Sequence, residues 1–252
     1  MSGGFTTLFY KEVLRFYKVI LQTIVAPAIT TLLYLLVFSH ALEEHVRVFG
    51  DVAYTVFLVP GLVMMTVIQN AFANSSSSLI QSKITGNIVF VLLTPLSYVE
   101  FYLAFLLAAV TRGLVVGLAV YLCAAPFVAL PLHSAWLILA FAMLGSAVLG
   151  TLGVIAGIWA EKFDQLAGFQ NFIILPLSFL SGVFYSLGSL PPFWQQVSKL
   201  NPFFYMIDGF RYGFLGRSDI APAVSLAVVA TTLALLAALT LTLLRRGYRL
   251  RN

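Results

Sequence analysis

Few side chains in this 252-residue sequence are of a kind that does covalent chemistry, and those few are scattered. Hydrolysis of a nucleotide requires a cradle such as GxxxxGK[ST]; none is present, and no lysine follows a glycine. His40, His45 and His133 stand apart and form no HExxH, so no metal-ligating set is predicted. No GxSxG nucleophile elbow occurs. Cys123 is the single cysteine and lies in an apolar run. Without a second thiol it makes no intrachain disulfide and reads as a packing residue. The sequence therefore predicts no catalytic residue, no metal and no cofactor bound by the chain, and it does not read as an enzyme.

The charged residues say where the chain lives. They make up 9% of it, against roughly 25% in soluble domains, while 61% of residues are hydrophobic and mean hydropathy is +0.99. A domain so poor in charge lacks the polar surface that keeps proteins in water, so an all-α integral membrane protein is predicted. The net charge of +5 does not point to nucleic acid, because Arg245, Arg246, Arg249 and Arg251 directly follow an apolar run, as membrane-flanking residues do. Phe5, Leu8, Phe9, Val13 and Phe16 recur at helical spacing, with Lys11, Arg15 and Lys18 on the other face. That pattern predicts a basic amphipathic helix lying among lipid headgroups.

Arg112 is the one charge clearly inside an apolar run. Two uses fit it: a snorkelling or interhelical contact, or the handling of an anionic substrate. Glu161 and Asp164 sit at a turn, where they are solvated or make a contact that gates or positions a helix. An ion-driven transporter would need several Asp, Glu or His residues inside its spans, and this chain lacks them.

Six apolar runs must position these residues: about 19–42, 52–73, 101–124, 134–159, 169–187 and 220–244. Each approaches the ~20 residues that cross a bilayer, and no interval is long enough for a soluble domain, so residues 1–252 read as one transmembrane domain. The first run is too long for a signal-peptide core and has no A-x-A site after it, so its retention is predicted. An acidic connection with Glu43, Glu44, Arg47 and Asp51 follows it. Residues 74–99 break the pattern: Asn74 and Ser75 to Ser78 are polar, and Pro95 closes the stretch. A short surface helix at about 80–93 is predicted there. Residues 188–219 carry Pro191, Pro192, Trp194, Asn201, Pro202 and many aromatics, and read as two short helices dipping into the interface as a re-entrant hairpin.

With the N-terminus in the cytoplasm, the inner side carries Lys11, Arg15, Lys18, Lys83, Lys162 and the four tail arginines, making nine; the outer side carries Arg47, Lys199, Arg211 and Arg217, making four. That bias places both termini inside. The pairs Gly113/Gly117 and Gly153/Gly157 predict close helix packing without naming the partner helix. Asp208 and Arg211, spaced i, i+3, read as a helix-surface pair worth ~0.5 kcal/mol or less.

Three stretches resemble the permease subunits of ABC-2 type exporters: FLVPGLVMMTVIQNAFANSSSSLIQSK (57–83), TRGLVVG (111–117) and PLSFLSGVFYSLGSLPPFWQQVSKLNPFFYMIDGFRYGFLG (176–216). The Gly, Pro and Asn–Pro positions of the last match the family's signature region almost throughout, and the similarity runs along essentially the whole chain. The resemblance implies a permease of the bacterial inner membrane, paired with a second copy of itself and with two ATPase subunits that bind ATP and Mg. It implies a coupling helix to the ATPase at about Ile80–Thr94, with Lys83, Gly86, Asn87, Leu92, Leu93, Thr94 and Pro95 at motif positions. It also implies an outer hairpin over 188–218, with Asp208, Gly209 and Arg211 within it. Where the family usually has an acidic residue, this chain has Ile88–Val89–Phe90, a departure from the pattern. A self-sufficient transporter or channel and a membrane enzyme are the competing classes, disfavoured by the missing intramembrane carboxylates and missing motifs. The aliphatic and aromatic spans favour a lipid-like cargo over a long polar glycan.

Overall fold

The computed structural model describes residues 3–42 and 47–248. Glu43, Glu44, His45, Arg249 and Arg251 lie outside the described residues. The elements run α1 (Gly3–Tyr17), α2 (Ile20–Leu42), a small antiparallel pair β1 (Arg47–Val48) and β2 (Val52–Ala53), α3 (Tyr54–Ile84), α4 (Asn87–Leu92), α5 (Tyr98–Ala124) and α6 (Ala135–Trp159). Then come α7 (Phe163–Phe169), a π-helical turn (Gln170–Ile174), α8 (Leu175–Phe179), a 3-10 turn (Leu187–Ser189), α9 (Pro192–Leu200), α10 (Pro202–Leu215) and α11 (Pro222–Arg245).

Five of these helices, α2, α3, α5, α6 and α11, are long and apolar enough to cross a membrane. Their limits agree with the sequence reading to within a few residues, except in α3. That helix is the axis of the molecule: 78% of its apolar window is buried, against 22% in α2 and 17% in α11. The last two therefore present most of their apolar surface outward.

Glycine explains how α5 and α6 approach the axis so closely. A Cβ on Gly153 would stand 2.5 Å from the carbonyl oxygen of Phe72, and one on Gly157 2.7 Å from the Cβ of Leu79. On α5, a Cβ at Gly113 would lie 3.0 Å from the carbonyl oxygen of Val67, and Gly117 faces the Val67 side chain. Both glycine pairs thus face α3, which resolves the partner left open by the sequence.

Three expected boundaries are corrected. The second span does not end near Ala73; α3 continues through the polar stretch to Ile84. Ser76 and Ser77 donate to the carbonyls of Phe72 and Ala73 within their own helix, so residues that favour caps and turns here stay helical. The surface helix is accordingly not 80–93 but the six residues Asn87–Leu92. The expected fifth span, 169–187, is displaced: the helical path starts at Phe163, passes through the π turn and stops at Phe179. Gly182, at φ +74°, turns the chain away from it.

A substitution contrast tests the glycine-mediated axis. Gly153→Leu should destabilise the protein by ~1–3 kcal/mol or more through overpacking, seen as a lower melting temperature in detergent. Gly168→Ala, where a Cβ meets nothing within 4 Å, should leave that temperature unchanged or raise it.

Candidate functional site

At the end of α3, Gly86 adopts φ +74° and turns the chain into α4. Within α4 only Ile88 is buried; Val89, Phe90 and Leu92 are exposed, as are Ile84 before it and Leu93 after it, with Phe90 at 71% and Leu93 at 77%. Asn87 and Pro95 are exposed, and the Thr94 hydroxyl donates to the Val91 carbonyl at 2.6 Å. Ser97 and Glu100 then close a capping box that starts α5. The result is an apolar knob at the tip of a tight turn, held on both sides by long helices.

Lys83 does not share that surface. Its ammonium donates to the carbonyls of Ala160 at 2.6 Å, Ile158 at 2.8 Å and Gly157 at 3.4 Å, capping the carboxyl end of α6. Free carbonyls and the negative end of the helix dipole both favour a cation there. Lys83 pins the ends of α3 and α6 together, three residues before the Gly86 turn.

The α1 reading also needs amending. Its buried residues are Phe5, Leu8, Glu12 and Phe16, a clean i, i+3/i+4 series with a carboxylate in it. Lys11 and Lys18 stay exposed, but Arg15 is turned inward. Glu12 is wholly buried; it accepts from Ser78 at 2.8 Å and from Arg15 Nε at 3.2 Å. Arg15 in turn donates to the Asn74 carbonyl at 2.6 Å, to Asn74 Oδ1 at 3.1 Å and to Ser77 at 3.1 Å. The polar stretch of α3 is where α1 docks. Sequence reasoning passed over Glu12, although its place in the buried series was the available clue.

Arg112 meets α3 one turn further along, donating to Asn70 Oδ1 at 3.3 Å. Asp164 is exposed in the first turn of α7. No hydrogen bond or ion pair joins Arg112 to Asp164 among the described residues.

The opposite end of α3, about 46 Å away at 1.5 Å per residue, receives α10, with α9 packed against α10. Pro191 and Pro192 open α9, where Trp194 is 46% exposed. Asn201 caps α10 by accepting from the Phe203 amide at 3.0 Å and ties it to α8 by donating to the Leu177 carbonyl at 2.7 Å; Pro202 takes the first helical position. A Cβ on Gly209 would run into the ring of Phe141, so α10 lies directly on α6.

Asp208 and Arg211 are not a surface pair: both are fully buried, and no ion pair joins them among the described residues. Asp208 accepts from the amides of Asp219 at 2.9 Å and Ile220 at 3.0 Å, fixing the approach to α11. Burial pushes its carboxyl up to about 6, against the pull of the Asp219 amide and of Arg211. Arg211 donates to the carbonyls of Gly182 at 2.7 Å, Phe57 at 3.2 Å and Val183 at 3.4 Å, with its guanidinium 3.7 Å above the Phe57 ring. Arg217 pairs with Asp51 and donates to the Phe49 carbonyl at 2.8 Å, closing the β pair over this end. The i, i+3 spacing concealed these roles because each side chain reaches a different element.

Residues 4–215 match the family described as ABC-2 type transporter. The chain belongs to that family. Over 247 residues it is 38% identical to the inner membrane transport permease YadH of Escherichia coli K12, covering 98% of this chain and 96% of that protein. It is 25% identical over 225 residues to nodulation protein J of Rhizobium leguminosarum bv. viciae, covering 86% of this chain and 85% of that protein. This ABC-2 chain is a multi-pass membrane transport permease, and the residues just described lie within the matched region, apart from Arg217, Asp219 and Ile220.

Each charge-assisted hydrogen bond of Lys83 contributes ~1.5–3 kcal/mol. Lys83→Met should therefore lower the melting temperature of the purified permease by several degrees, and Lys83→Arg should recover much of the loss. Equal melting temperatures for wild type and Lys83→Met would remove the pin.

Proposed function

We propose that this permease is the membrane half of an ATP-driven exporter of the bacterial inner membrane. Two copies form the pathway, and two separate ATPase subunits dock on the segment around α4. The observation that carries this reading is the exposed apolar knob of Val89, Phe90, Leu92 and Leu93 at the Gly86 turn. A patch of that kind, with no cover of its own, is what a protein partner buries. The departure at Ile88–Val89–Phe90 gives the docking a hydrophobic character in place of a charged contact.

Closure of the ATPase pair upon ATP and Mg would push both α4 turns. Because α4 hangs between α3 and α5, and Lys83 fastens α3 to α6, the push reaches three long helices together. Gly209 and Arg211 hold α10 against the far ends of α6 and α3, and Asp208 ties it to the approach to α11, so the hairpin from Pro191 to Gly216 would close or open the outer mouth. Transport follows only if cargo binds the two states differently. The nine-to-four bias of Lys and Arg supports both termini in the cytoplasm, with Lys11 and Lys18 toward anionic headgroups. The whole chain then serves as one transmembrane domain.

A self-sufficient transporter or channel is the second reading. Arg112 would be its sole charged group deep in a span, with no carboxylate for a coupling ion.

Leu92→Asp together with Leu93→Asp should abolish co-purification of the ATPase while leaving membrane insertion intact. The purified permease alone should hydrolyse no ATP, and the complex should. Undiminished co-purification of the double variant would remove the docking assignment.

A further inference from the structure

We propose that the polar stripe of α3 from Ser77 to Thr66, with Arg15 and Arg112 laid against it, binds the phosphate headgroup of an amphipathic molecule whose tails lie in the membrane. The proposal deepens the permease reading above by naming a ligand class.

The geometry is a two-rung ladder. Asn74 and Asn70 are one helical turn apart on α3, a rise of about 6 Å. Arg15 holds the lower rung through the Asn74 carbonyl and Oδ1 at 2.6 and 3.1 Å. Arg112 holds the upper rung through Asn70 Oδ1 at 3.3 Å. The Asn70 amide nitrogen donates to the Thr66 carbonyl at 3.1 Å, which aims its oxygen at Arg112.

Only the lower rung is neutralised. Glu12, wholly buried, pairs with Arg15; Lys11, on the same helix, adds positive charge. Among the described residues no hydrogen bond or ion pair joins Arg112 to a carboxylate. Helix α2 has no Asp or Glu, α3 has Lys83 as its single charge, and that lysine is spent on α6. The one acid of α5 is Glu100, twelve residues from Arg112 or about 18 Å along the helix, where it closes the Ser97 cap. Arg112 Nε is buried with no hydrogen-bond partner. A cation in an apolar wall, with an unused donor and no counter-charge, is completed by an anion from outside the chain.

The room for it lies beside the upper rung. A cleft of about 260 Å³ between α2 and α3 is lined by Thr30, Thr31, Thr66 and Asn70 together with the apolar Leu62 and Met65; it meets the upper rung at Asn70, and neither arginine is part of its wall. Thr30 and Thr66 donate to their own helices, to Ala26 at 2.9 Å and Leu62 at 2.9 Å. Their oxygens are therefore left as acceptors for headgroup hydroxyls, while the arginines supply the positive charge. Pro27 lines the same cleft and removes one N–H from the α2 ladder there. The volume suits a headgroup; the outward apolar faces of α2 leave the tails in lipid.

The source of the phosphate is either a resident membrane phospholipid or the transported amphipath, and one probe serves both. The full-length permease, without ATPase, is mixed with phosphatidylglycerol or with diacylglycerol of identical tails, and retained lipid is measured by native mass spectrometry. Wild type should retain phosphatidylglycerol at least tenfold over diacylglycerol. Arg112→Gln should bring the two to parity, Arg112→Lys should keep most of the preference, and melting curves should confirm that both variants are folded. Parity in wild type, or an undiminished preference in Arg112→Gln, overturns the site. Because the ATPase is absent, failure of the docking assignment cannot mimic either result. In vesicles carrying the complex, ATP-dependent movement of fluorescent phosphatidylglycerol between leaflets marks the ligand as cargo. Arg112-dependent retention without movement marks it as a resident lipid; both results support the headgroup site.

Discussion

Where water is absent, a buried polar group must find its partner within the protein, and α3 is where this chain meets that demand most heavily. An apolar helix can pack anywhere; one carrying Asn70, Asn74, Ser76, Ser77, Ser78 and Lys83 can pack in very few ways. Serines 76 and 77 use their own helix, Asn74 and Ser78 use α1 through Arg15 and Glu12, and Lys83 uses the end of α6. The last two tie α1 and α6 to the axis at fixed heights. The glycines of α5 and α6 then bring two further backbones against it. At the other end Arg211 holds its neighbours in a similar way, donating through Nε and Nη2 to carbonyls from the start of α3 and from the turn after α8.

One consequence is mechanical. The short helix α4 is largely exposed, while Lys83, four residues before its start, is held by three carbonyls at the end of α6. A load applied at Val89–Leu93 meets a turn at Gly86 and then a cross-linked group of long helices. Such a lever would transmit displacement instead of absorbing it, as the proposed drive from an ATPase would require. Lys83 is bonded to the end of α6, though it lies in the same stretch of sequence as the exposed apolar residues.

Much of this was legible beforehand. Long apolar runs define α2, α5, α6 and α11 to within a few residues, because the hydrophobic demand of a bilayer leaves little choice. Asn201–Pro202 marks a helix start with its cap, and the structure has one there. What could not be read was the partner of each polar group. Asn74 to Ser78 look like a break when the chain is read alone, since nothing nearby says that Arg15, about sixty residues earlier, will cover them. Asp208 and Arg211 look paired because sequence shows spacing and not direction. The two glycine pairs announce close packing yet are silent about which helix approaches. Glu12 was hidden by its neighbours: among basic residues it passes as one more surface charge, whereas the burial of Phe5, Leu8 and Phe16 around it makes it an interior one.

The central claim is that the turn at α4 is the place where an external energy source acts on this membrane domain. It is tested most directly by placing a photo-activatable benzoylphenylalanine at position 90 in the otherwise intact protein, irradiating cells, and identifying the adduct by mass spectrometry. The account predicts a covalent product with a phosphate-loop ATPase. Adducts with lipid alone, or labelling of position 90 by a membrane-impermeant reagent added from outside the cell membrane, would contradict it.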